Sequence, residues 1–304
     1  MRIGSVDIAY EERGTGEPLL LIPGLSMARA MWPEALIDAL VAAGFRVVSM
    51  DNRDAGASTR IDARAPDVRT SLLRSLAGLA VRTPYQLEDM AADAFGLMGA
   101  LGHERFHVVG ASMGGMIAQT MALARPERLA TLTSIMSSPG GRRYSIGKPH
   151  ALRTLLQPVP RERAEYIEQL VARFRVLAGG DGALPFDEPH ARFVATAQVE
   201  SGITPSQVAR QLVAIFESSN RRLPRIASIT TPTLVIHGAC DPLLPLRGAR
   251  AMAQRIPRAE LLVVRGMGHN LPAPVLPLLA GAITTHARTA ALVASRSPRP
   301  AITP

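Results

Sequence analysis

Val108-Val109-Gly110-Ala111-Ser112-Met113-Gly114-Gly115-Met116 joins a β-branched apolar run to a helix-like run through a single serine flanked by glycines. The pattern is G-x-S-x-G, in which a serine at a sharp strand-to-helix turn presents its hydroxyl at the edge of a sheet. Such a turn presses backbone against backbone, so a side chain at Gly110 or Gly114 would collide with it. An ordinary glycine turn carries the same letters. The surrounding chain has to decide between the two.

Upstream, 106–109 reads as the strand that feeds Ser112, and 86–101 as a helix stopped by Gly102. Earlier still, 19–22 is a fully apolar strand, and Pro23-Gly24-Leu25-Ser26-Met27 leads from it to Trp32 and a helix over 33–43. A strand over 45–50 runs into the polar turn Asp51-Asn52-Arg53-Asp54-Ala55-Gly56-Ala57-Ser58. The alternating run 6–12 predicts an exposed edge strand. Residues 59–83 are longer than a normal connection and read as an excursion near the mouth of a site. Downstream, 113–125 has helical periodicity, Pro126 ends it, and 129–136 is the next strand. Strands alternating with helices predict a parallel sheet covered on both faces. Ligands of such sheets bind at the carboxyl ends of the strands.

From 137 to 225 the alternation lapses, and 162–177, 189–200 and 205–216 read as helices separated by breakers such as Gly179-Gly180-Asp181-Gly182. Alternation resumes with a strand over 232–237, a helix over 246–255, a strand over 260–264 and a last helix over 275–286. The expected organisation is a core of 1–136 and 226–294, a helical lid over 137–225, and a flexible tail over 295–304.

The totals agree with one large α/β domain carrying an insertion: 304 residues, 47% of them hydrophobic. No apolar run approaches the roughly 20 residues that span a bilayer. The start, Met1-Arg2-Ile3-Gly4-Ser5-Val6-Asp7, has an acid where a secretory signal has its apolar region. Cys240 is the single cysteine, so an intrachain disulfide is excluded and a cytoplasmic setting is expected. The net charge of +9 is dispersed among acids, as in Arg161-Glu162-Arg163-Ala164-Glu165, and forms no basic stripe. No nucleic-acid partner is expected.

A serine hydroxyl attacks at neutral pH only with a base in contact, and the base needs a third group to orient it. Among seven histidines, His269 stands in the glycine-rich loop Arg265-Gly266-Met267-Gly268-His269-Asn270, just after a strand end. His237 lies inside a strand and reads as core, and His103 and His107 flank a strand start, at the wrong end of the sheet. His150, His190 and His286 fall on expected helix surfaces. Asp241, in Gly238-Ala239-Cys240-Asp241-Pro242, follows a strand directly, and 134–141 offers no rival carboxylate. A plain turn before proline is the competing reading of Asp241. Order separates them, because Ser112, Asp241 and His269 each follow a strand, in the order Ser, Asp, His. An oxyanion would need two N–H donors, one after the nucleophile and one from the loop after the earlier strand, which are Met113 and Leu25. There is no histidine or cysteine cluster at metal spacing and no phosphate loop, so neither metal nor cofactor is expected.

Through the Pro23-Gly24-Leu25 loop, Asp51-x-Arg53-x-x-Gly56-x-Ser58, Gly110-x-Ser112-x-Gly114, Gly238-x-x-Asp241 and Gly268-His269, the chain resembles the α/β-hydrolase superfamily over nearly its whole length. Asp51 to Gly56, Gly110 to Gly114 and Gly266-Met267-Gly268-His269-Asn270-Leu271-Pro272 are similar to the aclacinomycin methylesterase-like serine esterase branch. The resemblance implies a mostly parallel eight-stranded sheet with helices on both faces, an inserted helical lid, and hydrolysis of a carboxylic ester. Two positions depart from the common pattern: Pro23-Gly24 replaces His-Gly, and Arg53-Asp54 replaces Arg-Gly.

The expected activity is therefore cleavage of a small-molecule ester through an acyl-enzyme on Ser112. Met27, Trp32, Leu271 and lid residues would line a pocket for an apolar or bulky substrate. Cleavage of a C–C bond or perhydrolysis with the same triad is the alternative, as is a ligand receptor that retains the triad. Oligomeric state stays open.

Overall fold

Along each central strand the side chains divide by period two between the faces of the sheet. The computed structural model describes residues 1–296. In chain order it contains β1 (Arg2–Ile3), β2 (Val6–Asp7), β3 (Tyr10–Arg13), β4 (Glu17–Ile22), α1 (Glu34–Ala42), β5 (Phe45–Met50), α2 (Val68–Leu76), α3 (Leu87–Ala100), β6 (Phe106–Ala111), α4 (Met113–Ala124) and β7 (Leu129–Ile135). There follow α5 (Arg142–Ser145), α6 (Pro149–Leu155), α7 (Arg163–Leu177), α8 (Glu188–Glu200), α9 (Pro205–Arg222), β8 (Thr233–Gly238), α10 (Leu246–Arg255), β9 (Glu260–Val264) and α11 (Leu276–Arg296). Leu20 and Ile22 of β4, Val48 and Met50 of β5, and Phe106 and Val108 of β6 meet α3, α4 and α10 on one face. Leu19 and Leu21, Phe45 and Val47, and Val109 and Ala111 meet α1 and α11 on the other. Both faces are dry, which is why these strands read as unbroken apolar runs.

The sheet order is β3-β5-β4-β6-β7-β8-β9, and every neighbouring pair is parallel except β3 with β5. The α/β class stands, with seven strands in the sheet among the described residues in place of the eight implied by the resemblance. Gly4, at φ 54°, turns β1 back onto β2, and Met1 and Ile8 exchange backbone hydrogen bonds of 3.0 and 2.8 Å. That ribbon closes on itself, so the run expected as one strand over 6–12 splits and β3 alone joins the edge.

Five helices, α5 to α9, separate β7 from β8. The short α5 and α6 went unread because four and seven residues are too few to reveal a period. The Thr204–Gln207 capping box starts α9, which continues past the expected end at Phe216 to Arg222. Buried Arg222 donates to Gln119 Oε1, Ser218 Oγ and the Ser138 carbonyl, so tertiary bonding carries the helix through the weak formers Ser218, Ser219 and Asn220. The last helix outruns its expected end at His286, and Ser295 and Arg296 of the expected tail close it. Residues 297–304 of that tail lie outside the described residues. Among the described residues no helix is long and apolar enough to cross a membrane.

The insertion is attached unevenly. Tyr166, Leu170 and Val171 of α7 pack with Ala195 of α8 in a small core of their own. By contrast α9 is tied to the sheet domain. Arg210 makes a bidentate ion pair with Asp54 at 2.7 and 2.8 Å, and both side chains are buried. Asp54 also accepts from the Tyr85 hydroxyl at 2.8 Å and the Ile61 N–H at 2.8 Å. The Asp54 backbone sits at φ 64°, a conformation that Asp tolerates better than most residues.

Asp54→Asn keeps shape and backbone tolerance but leaves the Arg210 charge buried without a counter-charge. The expected loss of unfolding free energy is about 3 kcal/mol. Denaturant titration should also find the double variant Asp54→Asn/Arg210→Met less destabilised than the sum of its two single changes.

Candidate active site

Where β6 ends, Ser112 takes φ 54° and ψ −116° before α4 begins. The space around this turn explains its glycines. A Cβ on Gly110 would lie 2.2 Å from the Gly114 carbonyl oxygen, and one on Gly114 would lie 2.0 Å from that of Ile22. Backbone bonds lock the turn: Ser112 N–H donates to the Ile135 carbonyl at 2.9 Å, and the Ser112 carbonyl accepts from Gly115 N–H at 3.0 Å. Ser137, which sequence reasoning did not single out, adds its hydroxyl to the same carbonyl at 2.8 Å.

The three residues that share strand-end positions meet in space. Ser112 Oγ lies 3.0 Å from His269 Nε2, and His269 Nδ1 lies 2.8 Å from Asp241 Oδ2. With Nδ1–H donating to the carboxylate, Nε2 is the acceptor for the serine hydroxyl. The other Asp241 oxygen accepts from the Leu243 and Leu244 N–H groups at 2.8 and 2.9 Å, which fixes the carboxylate plane. Burial alone would push the Asp241 carboxyl upward; the His269 and His237 imidazoles and the Leu244 N–H outweigh it and hold the group below its ordinary value. From the insertion, the carbonyl of Leu177 accepts the His269 N–H at 2.7 Å.

Leu25 and Met113 flank Ser112 from the β4 loop and the start of α4. Among the described residues neither N–H donates to another group of the chain. Met27 and Leu271 are half-buried, while Trp32 is 1% exposed and packs in the core with Leu21 and Leu36. A cavity of about 380 Å³ lined by Arg29, Ile37, Asp51 and Ala57 includes none of Ser112, Asp241 and His269. Among the described residues no cluster of three or more His, Cys, Asp or Glu could hold a metal ion.

The other histidines stand apart from the serine. His107 is buried between Thr131 Oγ1 and Glu17, and His286, read as a surface residue, is buried on α11 against the Pro232 carbonyl. Among the described residues, only His237 of these approaches the cluster. As expected for a strand interior it is fully buried; it donates Nε2–H to the Leu244 carbonyl at 2.9 Å and lies 3.6 Å from Asp241 Oδ2. Its closeness to Asp241 depends on the turn after β8, which no local pattern encodes.

A family model for the alpha/beta hydrolase fold matches residues 17–183, over half of the chain. The chain belongs to the α/β-hydrolase fold family. A second model, described as TAP-like protein, matches residues 205–275. Rhodomycin D methylesterase of Streptomyces peucetius is 32% identical, with 93% of this chain and 96% of that protein covered. A 2-hydroxy-6-oxononadienedioate/2-hydroxy-6-oxononatrienedioate hydrolase of Paraburkholderia xenovorans is 28% identical, covering 88% of this chain and 85% of that one. Among solved structures, a bromoperoxidase from Bacillus anthracis superposes with a TM-score of 0.74 at 21% identity, covering 93% of this chain and 96% of that one. A meta-cleavage product hydrolase from Pseudomonas fluorescens gives 0.72 at 21% identity, covering 95% and 96%. These last two likenesses concern the fold. In this α/β-hydrolase the serine, acid and histidine follow β6, β8 and β9, all at carboxyl ends.

Burial holds the His237 imidazole below its ordinary value of 6.5. On acidification the unfolded chain therefore takes up this proton first, so the stability contributed is complete above about pH 6.5 and declines as pH falls from there toward the depressed folded value. A single such group changes stability by at most about 1.4 kcal/mol per pH unit. Thermal melts from pH 7 to pH 5 should show a shallower decline for His237→Gln, which keeps a donor for Leu244 but does not titrate.

Proposed function

We propose that this α/β-hydrolase cleaves a carboxylic ester through an acyl-enzyme on Ser112. The observation that carries the reading is the continuous hydrogen-bonded chain from Ser112 Oγ through His269 to Asp241, beside the Leu25 and Met113 N–H groups, which donate to no other group among the described residues. Ser112 Oγ attacks the ester carbonyl carbon as its proton passes to His269 Nε2. The oxyanion accepts hydrogen bonds from Leu25 and Met113 N–H, and the Asp241 carboxylate stabilises the imidazolium. As the tetrahedral species collapses, His269 returns the proton to the leaving alkoxide and an alcohol departs. A water molecule then gives its proton to His269, attacks the acyl-enzyme, and releases the acid while Ser112 recovers its hydrogen.

The methylesterase relatives at 32% identity favour an ester over the C–C bond named for the relative at 28%. Met27 and Leu271, half-buried and apolar, support an apolar or bulky substrate, and bulky polyketide methyl esters are the first to assay. Residues 137–225 serve as the lid over a core of 1–136 and 226–294; contact of Leu177 with the His269 backbone supports this division. A cytoplasmic setting is consistent with the lone Cys240.

Ser112→Ala should lower kcat on p-nitrophenyl esters by at least about 10³-fold, in preparations free of host esterases. Asp241→Asn should cost about 10⁴-fold while preserving the fold by circular dichroism. Unchanged turnover in Ser112→Ala would sink the reading.

A further inference from the structure

The loop that carries Leu25 is held from two sides, and one of them is the helical insertion. Met27 N–H closes a tight turn onto the Gly24 carbonyl at 3.2 Å. Ser26 occupies the third position of that turn at φ 60°, in the left-handed region that favours Gly or Asn there. A serine stays in that conformation only where its surroundings over-determine it. The loop also lies hard against the nucleophile, since a Cβ on Gly24 would sit 3.3 Å from Ser112 Cβ.

Three side chains supply the outside restraint. From the sheet domain, Asn52 Nδ2 donates to the Pro23 carbonyl at 3.1 Å. From α9, Gln211 Oε1 accepts the Ser26 N–H at 2.8 Å. From α8, Gln198 Nε2 donates to Ser26 Oγ at 3.0 Å. Gln211 is fully buried, and its Nε2 is committed to the Arg53 carbonyl at 2.8 Å, so the amide presents its oxygen to Ser26 and cannot flip without losing both bonds. The Arg210 ion pair with Asp54, one residue away, pins the same turn of α9.

The Asn52 and Gln211 bonds act on alternate peptide planes. Asn52 holds the plane between Pro23 and Gly24, and Gln211 holds the plane between Leu25 and Ser26. The plane between them bears the Leu25 N–H, and its own carbonyl is engaged by Met27. Its orientation is therefore set by its neighbours.

The geometry points to Gln211 as a positioning residue for the oxyanion hole, assisted by Gln198, so that a lid helix completes the donor geometry at Leu25. The inference rests on the ester-hydrolase reading for its kinetic consequence, while the bracing itself can be measured without turnover. Gln211 touches no reacting atom. It acts through Ser26.

The test compares wild type with Gln211→Met and Gln211→Glu. In Gln211→Met, amide hydrogen exchange in the 23–27 segment should quicken while the melting temperature of the sheet domain holds. On p-nitrophenyl butyrate, kcat should fall at least about tenfold with KM changed less than about twofold. Affinity for a trifluoromethyl ketone, whose serine adduct carries an oxyanion, should fall by the same factor as kcat/KM. Gln211→Glu keeps an acceptor for Ser26 but regains a donor for Arg53 only when protonated, so its activity relative to wild type should rise as pH is lowered. The proposal is overturned if Gln211→Met leaves both exchange in 23–27 and kcat/KM unchanged, if ketone affinity survives the loss of kcat, or if the Gln211→Glu ratio is independent of pH. A wild type that hydrolyses no ester would count against the ester reading, and the exchange measurement would still decide the bracing.

Discussion

The positive φ of Ser112 is the constraint on which the site depends. A left-handed backbone at a residue with a side chain persists only where every other conformation is blocked. Here the blocking is done by closeness: Gly114 passes against the Ile22 carbonyl, and Gly110 against Gly114 itself. The same approach that strains the turn brings the β4 loop beside the serine, so the hydroxyl and the Leu25 peptide become neighbours through one packing event. Asp241 and His269 arrive separately, from β8 and β9, and need only the parallel register of those strands to converge on the serine.

A second layer of order is polar and buried. Asp51 binds the Arg29 guanidinium and backbone N–H, Arg53 forks onto Asp93 at 2.7 Å, and Asp54 holds Arg210. Three charged residues within four positions of one loop thus fasten the β4 loop, α3 and α9 respectively. Isolated ion pairs on a surface contribute little, but Asp51, Asp54 and Asp93 are buried, so any arrangement that separates one of these carboxylates from its arginine is penalised. The turn after β5 therefore works as the junction between sheet and insertion. The departure at Asp54 from the common Arg-Gly pattern is part of that junction, because glycine has no carboxylate to offer Arg210.

The legible part of the sequence is what local pattern encodes. Strand ends followed by Ser, Asp and His could be read because each signal is contained in five or six residues, and the sheet faces because period-two burial leaves unbroken apolar runs. Gln211 could not be read. It lies 185 residues from Ser26, and a glutamine on an amphipathic helix carries the letters of a solvated position whichever way it points. The proximity of His237 to Asp241 is likewise absent from any local pattern, because it depends on the path of the turn after β8. Trp32 packs with Leu21 of β4 and Leu36 of α1, where burying a large aromatic is favourable. Alternation over 6–12 does not encode the break after β2, because the Gly4 turn closes a ribbon that does not join the seven-stranded sheet.

The start of α4 has one more consequence. The helix begins at Met113 with no side chain capping its first turn and no acidic residue within it. The aligned peptide dipoles of its 12 residues leave a positive end worth roughly half an elementary charge, and no carboxylate of that turn neutralises it. Ser112 sits directly at this end. Negative charge appearing on an oxygen of the carbon that Ser112 Oγ attacks is met by an electrostatic potential already present in the resting protein.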